Sequence, residues 1–92
     1  MNVEEHYVAH HGVMLQLEDE MKAAGWGADA LHAAYAIAMG VVRGGLPVET
    51  ETERKSARMG LAALSKASRD TANKWFARGR QIASDLRRRN RL

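Results

Sequence analysis

Apolar residues recur at intervals of three and four in three segments of this chain, and two glycine clusters separate the segments. That spacing places side chains on one face of an α-helix, and no segment shows the strict apolar–polar alternation of a strand. A single proline and an abundance of alanine also favour helix. A chain of 92 residues can bury only one modest core. The sequence therefore predicts a single all-α domain, a small helical bundle of three or four helices.

The first two segments predict a helical hairpin. Helix 1 should cover about residues 3–24 and end at Gly25, because glycine commonly follows the last helical turn. Helix 2 should cover about residues 28–43, with Gly27 or Asp29 as its N-cap. Helix 2 is apolar on several sides, so we expect it to be central. The main predicted stripes are Val3, Tyr7, His10, Met14, Leu17 and Met21 in helix 1 and Leu31, Tyr35, Ala38 and Val42 in helix 2. Another backbone could approach helix 2 closely at its small residues, Ala33, Ala36 and Gly40.

The second half of the chain predicts a long basic helix on which the hairpin packs. A loop at residues 44–49 contains the sequence Gly-Gly-Leu-Pro, which is a strong helix break. Thr50 and Glu53 follow with the spacing of a capping box, so a helix should begin there. Apolar positions then keep one helical phase, which favours one long or kinked helix over about residues 50–89.

The alternative for residues 50–89 is two helices. Ser68 and Thr71 interrupt the apolar stripe, and Asp70 could cap a second helix. A helix of about 40 residues would also be long for a globular domain.

Charge is distributed very unevenly along the chain. Residues 1–53 hold two basic and nine acidic side chains, a net charge of −7. Residues 54–92 hold twelve basic and two acidic side chains, a net charge of +10. Of the nine basic residues after position 65, seven are arginines, which suit bidentate contact with phosphate.

The basic C-terminal helix predicts a non-enzymatic protein that binds nucleic acid or a nucleoprotein complex. Such binding would depend strongly on salt concentration. Two alternatives remain open: a solvated face whose cations complement the helix dipole, and a docking surface for an acidic protein. The candidate binding residues are Lys66, Arg69, Asn73, Phe76, Arg80, Arg87, Arg88 and Arg91.

A second functional hypothesis is a small accessory protein of the kind that phages and mobile elements encode. It would bind a larger nucleic-acid-processing complex and inhibit or modulate it through protein–protein contacts. The acidic face of helix 1 could then imitate a row of phosphates. Trp26 either plugs the end of the helix packing or anchors this partner. The candidate residues of this surface are Glu4, Glu18, Asp19, Glu20 and Trp26.

Enzymatic activity and a cofactor are not expected. No serine lies in a strand-to-helix elbow, and neither glycine cluster matches a phosphate-cradling motif. His6 and His10 have the i, i+4 spacing that can hold a metal ion, but Glu5 points away from both. We therefore predict no metal site, and we expect His10, on the core stripe, to be a hydrogen-bonded or half-buried histidine.

The expected location is the cytoplasm. The chain has no cysteine, its N-terminus lacks the pattern of a secretory signal, and its most apolar stretch, residues 28–42, is shorter than a bilayer requires. No membrane partner is expected. A homodimer is predicted, because the narrow stripe of helix 1 and the overhanging length of the last helix suggest leftover apolar surface.

Overall fold

The computed structural model describes residues 3–42 and 50–89, without the side chains of residues 3, 4 and 6. These ranges hold four helices and no strand: α1 (Val3–Ala23), α2 (Asp29–Val42), α3 (Glu51–Lys66) and α4 (Arg69–Arg89). The prediction of an all-α bundle of three or four helices is confirmed. The predicted loop at residues 44–49 lies outside the described residues.

The turn between α1 and α2 depends on two glycines with positive φ, Gly25 at +94° and Gly27 at +59°. The amide of Gly25 donates to the carbonyl of Lys22 at 3.1 Å, and the amide of Trp26 donates to the carbonyl of Met21 at 3.0 Å. This pair of bonds is a Schellman motif, which requires a left-handed residue at the position of Gly25. The predicted end of helix 1 is confirmed.

Helix α2 is the central element of the bundle, as predicted. It packs against α1, α3 and α4, whereas the described residues of α1 and α3 do not contact each other. Its fully buried residues include Ala33, Ala34 and Ile37. Leu31 departs from the predicted stripe, because 43% of its surface is exposed.

The buried face of α1 is broader than the predicted stripe. His10 is buried rather than half-buried. Leu17 and Met21 are buried as expected, but so are Ala9 and Val13, and Tyr7 is 41% exposed. The reason is that α1 packs against α4 as well as α2. Leu17 of the predicted stripe itself reaches α4, because its Cδ1 lies 3.4 Å from the Cβ position of Gly79.

Helices α2 and α3 meet with their backbones close together. A Cβ atom at Gly60 would lie 2.0 Å from the carbonyl oxygen of His32 and 2.8 Å from the Cβ of Ala36. The predicted close approach at the small side of helix 2 is thus found at Ala36. Beside it, Nδ1 of His32 and Oγ of Ser56 are hydrogen-bonded at 2.9 Å.

For residues 50–89 the structure has the two helices of the alternative rather than one long or kinked helix, because the chain breaks at Ala67 and Ser68. Ala67 is extended, with φ −79° and ψ 166°. Oγ of Ser68 accepts the amide of Thr71 at 3.1 Å, so Ser68 rather than Asp70 caps α4. The hydrogen bond of this cap competes locally with the bonds of a continuous helix. Tertiary packing favours the break, because α3 packs mainly on α2, whereas α4 lies across both α1 and α2.

The start of α3 agrees with the predicted capping box. Thr50 Oγ1 accepts the amide of Glu53 at 3.1 Å, and the Glu53 carboxylate accepts the amide of Thr50 at 3.3 Å. None of the four described helices combines the length and apolar character that crossing a bilayer requires.

Candidate nucleic-acid interface

Helix α4 is fixed to the bundle along one side, which determines the side that faces outward. Trp75, Ile82 and Ala83 are buried. Gly79 lies against α2 so closely that a Cβ atom there would be 2.6 Å from Cγ2 of Ile37. This contact leaves the opposite half of α4 exposed.

Three arginines lie along one margin of this exposed half, and we call Arg69, Arg80 and Arg87 the arginine row. At about 100° per residue they point within about 20° of one direction. They extend over about 27 Å at 1.5 Å per residue. Arg69 and Arg80 are exposed and Arg87 is half-buried. None of the three forms an ion pair with a residue in the described ranges.

The structure separates several other predicted binding residues from the arginine row. Lys66 is exposed but belongs to the last turn of α3. It was grouped with the arginines on the assumption of one continuous helix, and the break at residues 67–68 ends that helix before the arginines begin. Phe76 is half-buried against the core, with Cε1 close to Gly40 of α2. Arg88 forms an ion pair with Asp85. Asn73 is exposed beside the row, and Arg91 lies outside the described residues.

Arg78, on the opposite margin of α4, forms an ion pair that the sequence analysis missed. Its Nε and Nη2 donate to the two carboxylate oxygens of Glu20 at 2.8 and 2.9 Å. The hydrogen bond from Arg78 is the main reason that the pKa of Glu20 lies below its usual value, and the same bond raises the pKa of Arg78. Both residues border the apolar faces of their helices, and this position is the sequence feature from which the ion pair could have been predicted.

The acidic face of α1 is not a row of free carboxylates. Glu20 is occupied by Arg78, and Glu18 forms an i, i+4 ion pair with Lys22 at 3.2 Å. Asp19 is exposed and forms no ion pair with a described residue. The side chain of Glu4 lies outside the described residues.

Trp26 packs against the core, which corresponds to the predicted plug of the helix packing. It is half-buried, and its ring meets that of Trp75 edge to face, with centroids 6.5 Å apart and an interplanar angle of 87°. Close by, an open groove of about 720 Å³ runs between the end of α1 and α4. Its apolar walls come from alanines and Trp75, and its charged residues are Glu20, Lys74 and Arg78.

The histidines form contacts between helices. His10 is buried, and its ring lies edge-on to that of Tyr35, with centroids 5.0 Å apart. His32 is bonded to Ser56, as described above. Residues 3–42 and 50–89 contain no cluster of three or more side chains suited to a metal ion. The absence of a metal cluster does not extend to the His6–His10 pair, because the structure does not describe the side chain of His6.

Comparison of the chain with protein-family models, with curated proteins and with solved structures finds no significant match. The evidence on function therefore comes from the residues of α4 and their surroundings.

Proposed function

We propose that this protein is a non-enzymatic nucleic-acid-binding protein whose arginine row contacts phosphates. The observation that carries the proposal is a contrast among the arginines of α3 and α4. Arg54 and Arg58 form ion pairs with Glu51, Arg78 with Glu20, and Arg88 with Asp85. The three members of the arginine row form none with the described residues and share one margin of a single helix. Arg89 also forms none, but it lies on another side of α4.

The physical setting of the row suits a polyanion. Helix α4 carries seven basic and two acidic side chains, a net charge of +5. Arginine donates two parallel hydrogen bonds to a phosphate group, and each phosphate contact releases condensed counterions. Because Trp75 and Ile82 anchor α4 in the core, the backbone of the row is ordered before binding, which lowers the entropic cost of association.

The helix dipole does not account for the whole row. Cations in the last turn of a helix interact favourably with its negative end, and this describes Arg87. Arg69, however, lies in the first turn, where the dipole disfavours a cation, and Arg80 lies in the middle of the helix. Phosphate binding explains all three positions with one interaction.

Fluorescence anisotropy with labelled double-stranded DNA, single-stranded DNA and RNA at 50 mM salt tests the proposal. The row variant combines Arg69→Glu, Arg80→Glu and Arg87→Glu. A control with the same change in net charge reverses three exposed basic residues outside α4, namely Lys22→Glu, Lys55→Glu and Arg58→Glu. We expect the row variant to lose at least tenfold more affinity than the control. Equal losses, or no binding by the unmodified protein, would refute the proposal.

The accessory-protein hypothesis is a second proposal with less support from the geometry. Its acidic surface requires accessible carboxylates, yet Glu18 and Glu20 are already paired within the chain and Trp26 packs against Trp75. The absence of nucleic-acid binding in the anisotropy assay would favour this second proposal.

A homodimer is also proposed. Because α3 and α4 are separate helices, an overhanging long helix no longer supports a dimer. Two apolar residues on the outer side of α1 still do: Val8 is 62% exposed and Leu15 is 46% exposed. They lie seven residues apart and therefore share a helix face. Light scattering should give twice the 10.2 kDa chain mass, and Val8→Glu with Leu15→Glu should give a monomer. A monomeric unmodified protein would refute the dimer.

A further inference from the structure

The exposed half of α4 carries basic side chains on both of its margins. The arginine row occupies one margin, and Lys74 lies about 120–140° around the helix on the other. Arg89, in the last turn, points about 160–180° away from the row. Both of these residues are exposed, and neither forms an ion pair with a described residue. Arg78 shares their margin but is held by Glu20. Two separate lines of positive charge therefore run along one helix.

The strip between these two margins is uncharged over most of its length. Asn73, Ala77, Gln81 and Ser84 are all exposed there. The amide of Gln81 donates to Asp85 at 3.0 Å within the helix. Asp70 and the Arg88–Asp85 ion pair lie towards the two ends of the strip. From Asn73 to Ser84 the strip is about 17 Å long, which corresponds to about five base pairs.

We infer that this strip enters the major groove of B-form duplex DNA, with the arginine row on one phosphate strand and Lys74 and Arg89 on the other. The inference rests on the proposed function and names its ligand. The major groove is about 12 Å wide and admits an α-helix, whose diameter with side chains is about 10–12 Å.

The chemistry of the strip agrees with this position. The short side chains of Ala77 and Ser84 allow the helix to approach the base edges. Asn73 and Gln81 carry the amide group that pairs with the N6 and N7 positions of adenine in the major groove. For Gln81 this pairing replaces only an exposed bond to Asp85. The side of α4 that would face away from the DNA major groove packs against α1 and α2.

A DNA duplex and an RNA duplex of the same sequence separate groove binding from simple phosphate contact. Both present phosphates, but the major groove of A-form RNA is deep and narrow and excludes a helix. In anisotropy titrations with duplexes of about 20 base pairs, we expect the DNA duplex to bind at least tenfold more tightly. Equal, salt-dependent affinity for both duplexes would overturn the groove inference and leave the proposed function standing. Binding to neither duplex would overturn the groove inference, and the absence of binding to single-stranded DNA as well would overturn the proposed function.

A matched pair of variants tests the strip itself. Ala77→Trp fills the centre of the strip, whereas Ala62→Trp places the same side chain at an exposed position of α3. We expect the first to lower the affinity for duplex DNA at least tenfold and the second to leave it unchanged. Circular dichroism establishes that both variants fold. Unchanged DNA affinity in the folded Ala77→Trp variant would refute groove insertion.

Discussion

Replacing Gly60 by alanine tests the close backbone approach between α2 and α3. The added Cβ would lie 2.0 Å from the carbonyl oxygen of His32 and 2.6 Å from its carbonyl carbon. These are backbone atoms, so no side-chain rotation can relieve the overlap. Helices α2 and α3 must move apart, which also lengthens the 2.9 Å hydrogen bond between His32 and Ser56.

The expected magnitude follows from three contributions. Alanine in a helix interior is favoured over glycine by about 1 kcal/mol. Overpacking costs about 1–3 kcal/mol, and a backbone clash belongs at the upper end of that range. Weakening the hydrogen bond costs about a further 1 kcal/mol. Gly60→Ala should therefore lower the free energy of unfolding by about 2–3 kcal/mol, or the melting temperature by roughly 8–24 °C for a chain of this size.

Urea and thermal unfolding followed by circular dichroism measure this effect, and Gly40→Ala is the matched control. Gly40 lies in the last turn of α2 and is exposed, and a Cβ there would lie 3.5 Å from Cε1 of Phe76, an ordinary contact. The same substitution should stabilise the protein at this position by up to about 1 kcal/mol. If Gly60→Ala is as stable as the unmodified protein, the described contact between α2 and α3 is wrong.

Two further predictions concern local interactions. Ser68→Ala should lower the free energy of unfolding by about 1 kcal/mol, because it removes the N-cap of α4, whereas Asp70→Ala should cost less; a larger loss in Asp70→Ala would contradict the observed cap. Glu20→Gln should cost about 0.5–1 kcal/mol at pH 7. Because Arg78 lowers the pKa of Glu20 in the folded state, this difference from the unmodified protein should be complete above the unfolded pKa of about 4.3 and disappear as pH falls through the folded pKa. Urea midpoints across that pH range measure it, with Asp19→Asn as the control, and a difference independent of pH would refute the ion pair's role.

Local signals in the sequence predicted the ends of the elements well. The capping box at Thr50 and the glycine at position 25 act through bonds to residues within five positions, so their spacing is visible in the sequence. The break at Ser68 was harder to predict, because apolar positions keep one helical phase on both sides of it. Its cap competes with a continuous helix, and tertiary packing decides between them.

Contacts between distant segments could not be derived from the sequence. Arg78 and Glu20 are 58 positions apart, and a count of charges treats both as free. The same limit applies to Ala9 and Val13, whose burial follows from the packing of α1 against α4. The arginine row could be predicted because its members share one helix. The separation of Lys66 from the row could not, because it depends on the break between α3 and α4. The absence of enzymatic activity and the cytoplasmic location stay predictions from the sequence.

The dependence of affinity on salt concentration tests the central claim most directly. Each phosphate contact contributes about −0.9 to the slope of log affinity against log salt for duplex DNA. Neutralising the row with Arg69→Ala, Arg80→Ala and Arg87→Ala should therefore make the slope shallower by about 3. The control that neutralises Lys22, Lys55 and Arg58 should leave the slope nearly unchanged. A slope that is the same in the row variant and the unmodified protein would contradict phosphate binding by the arginine row.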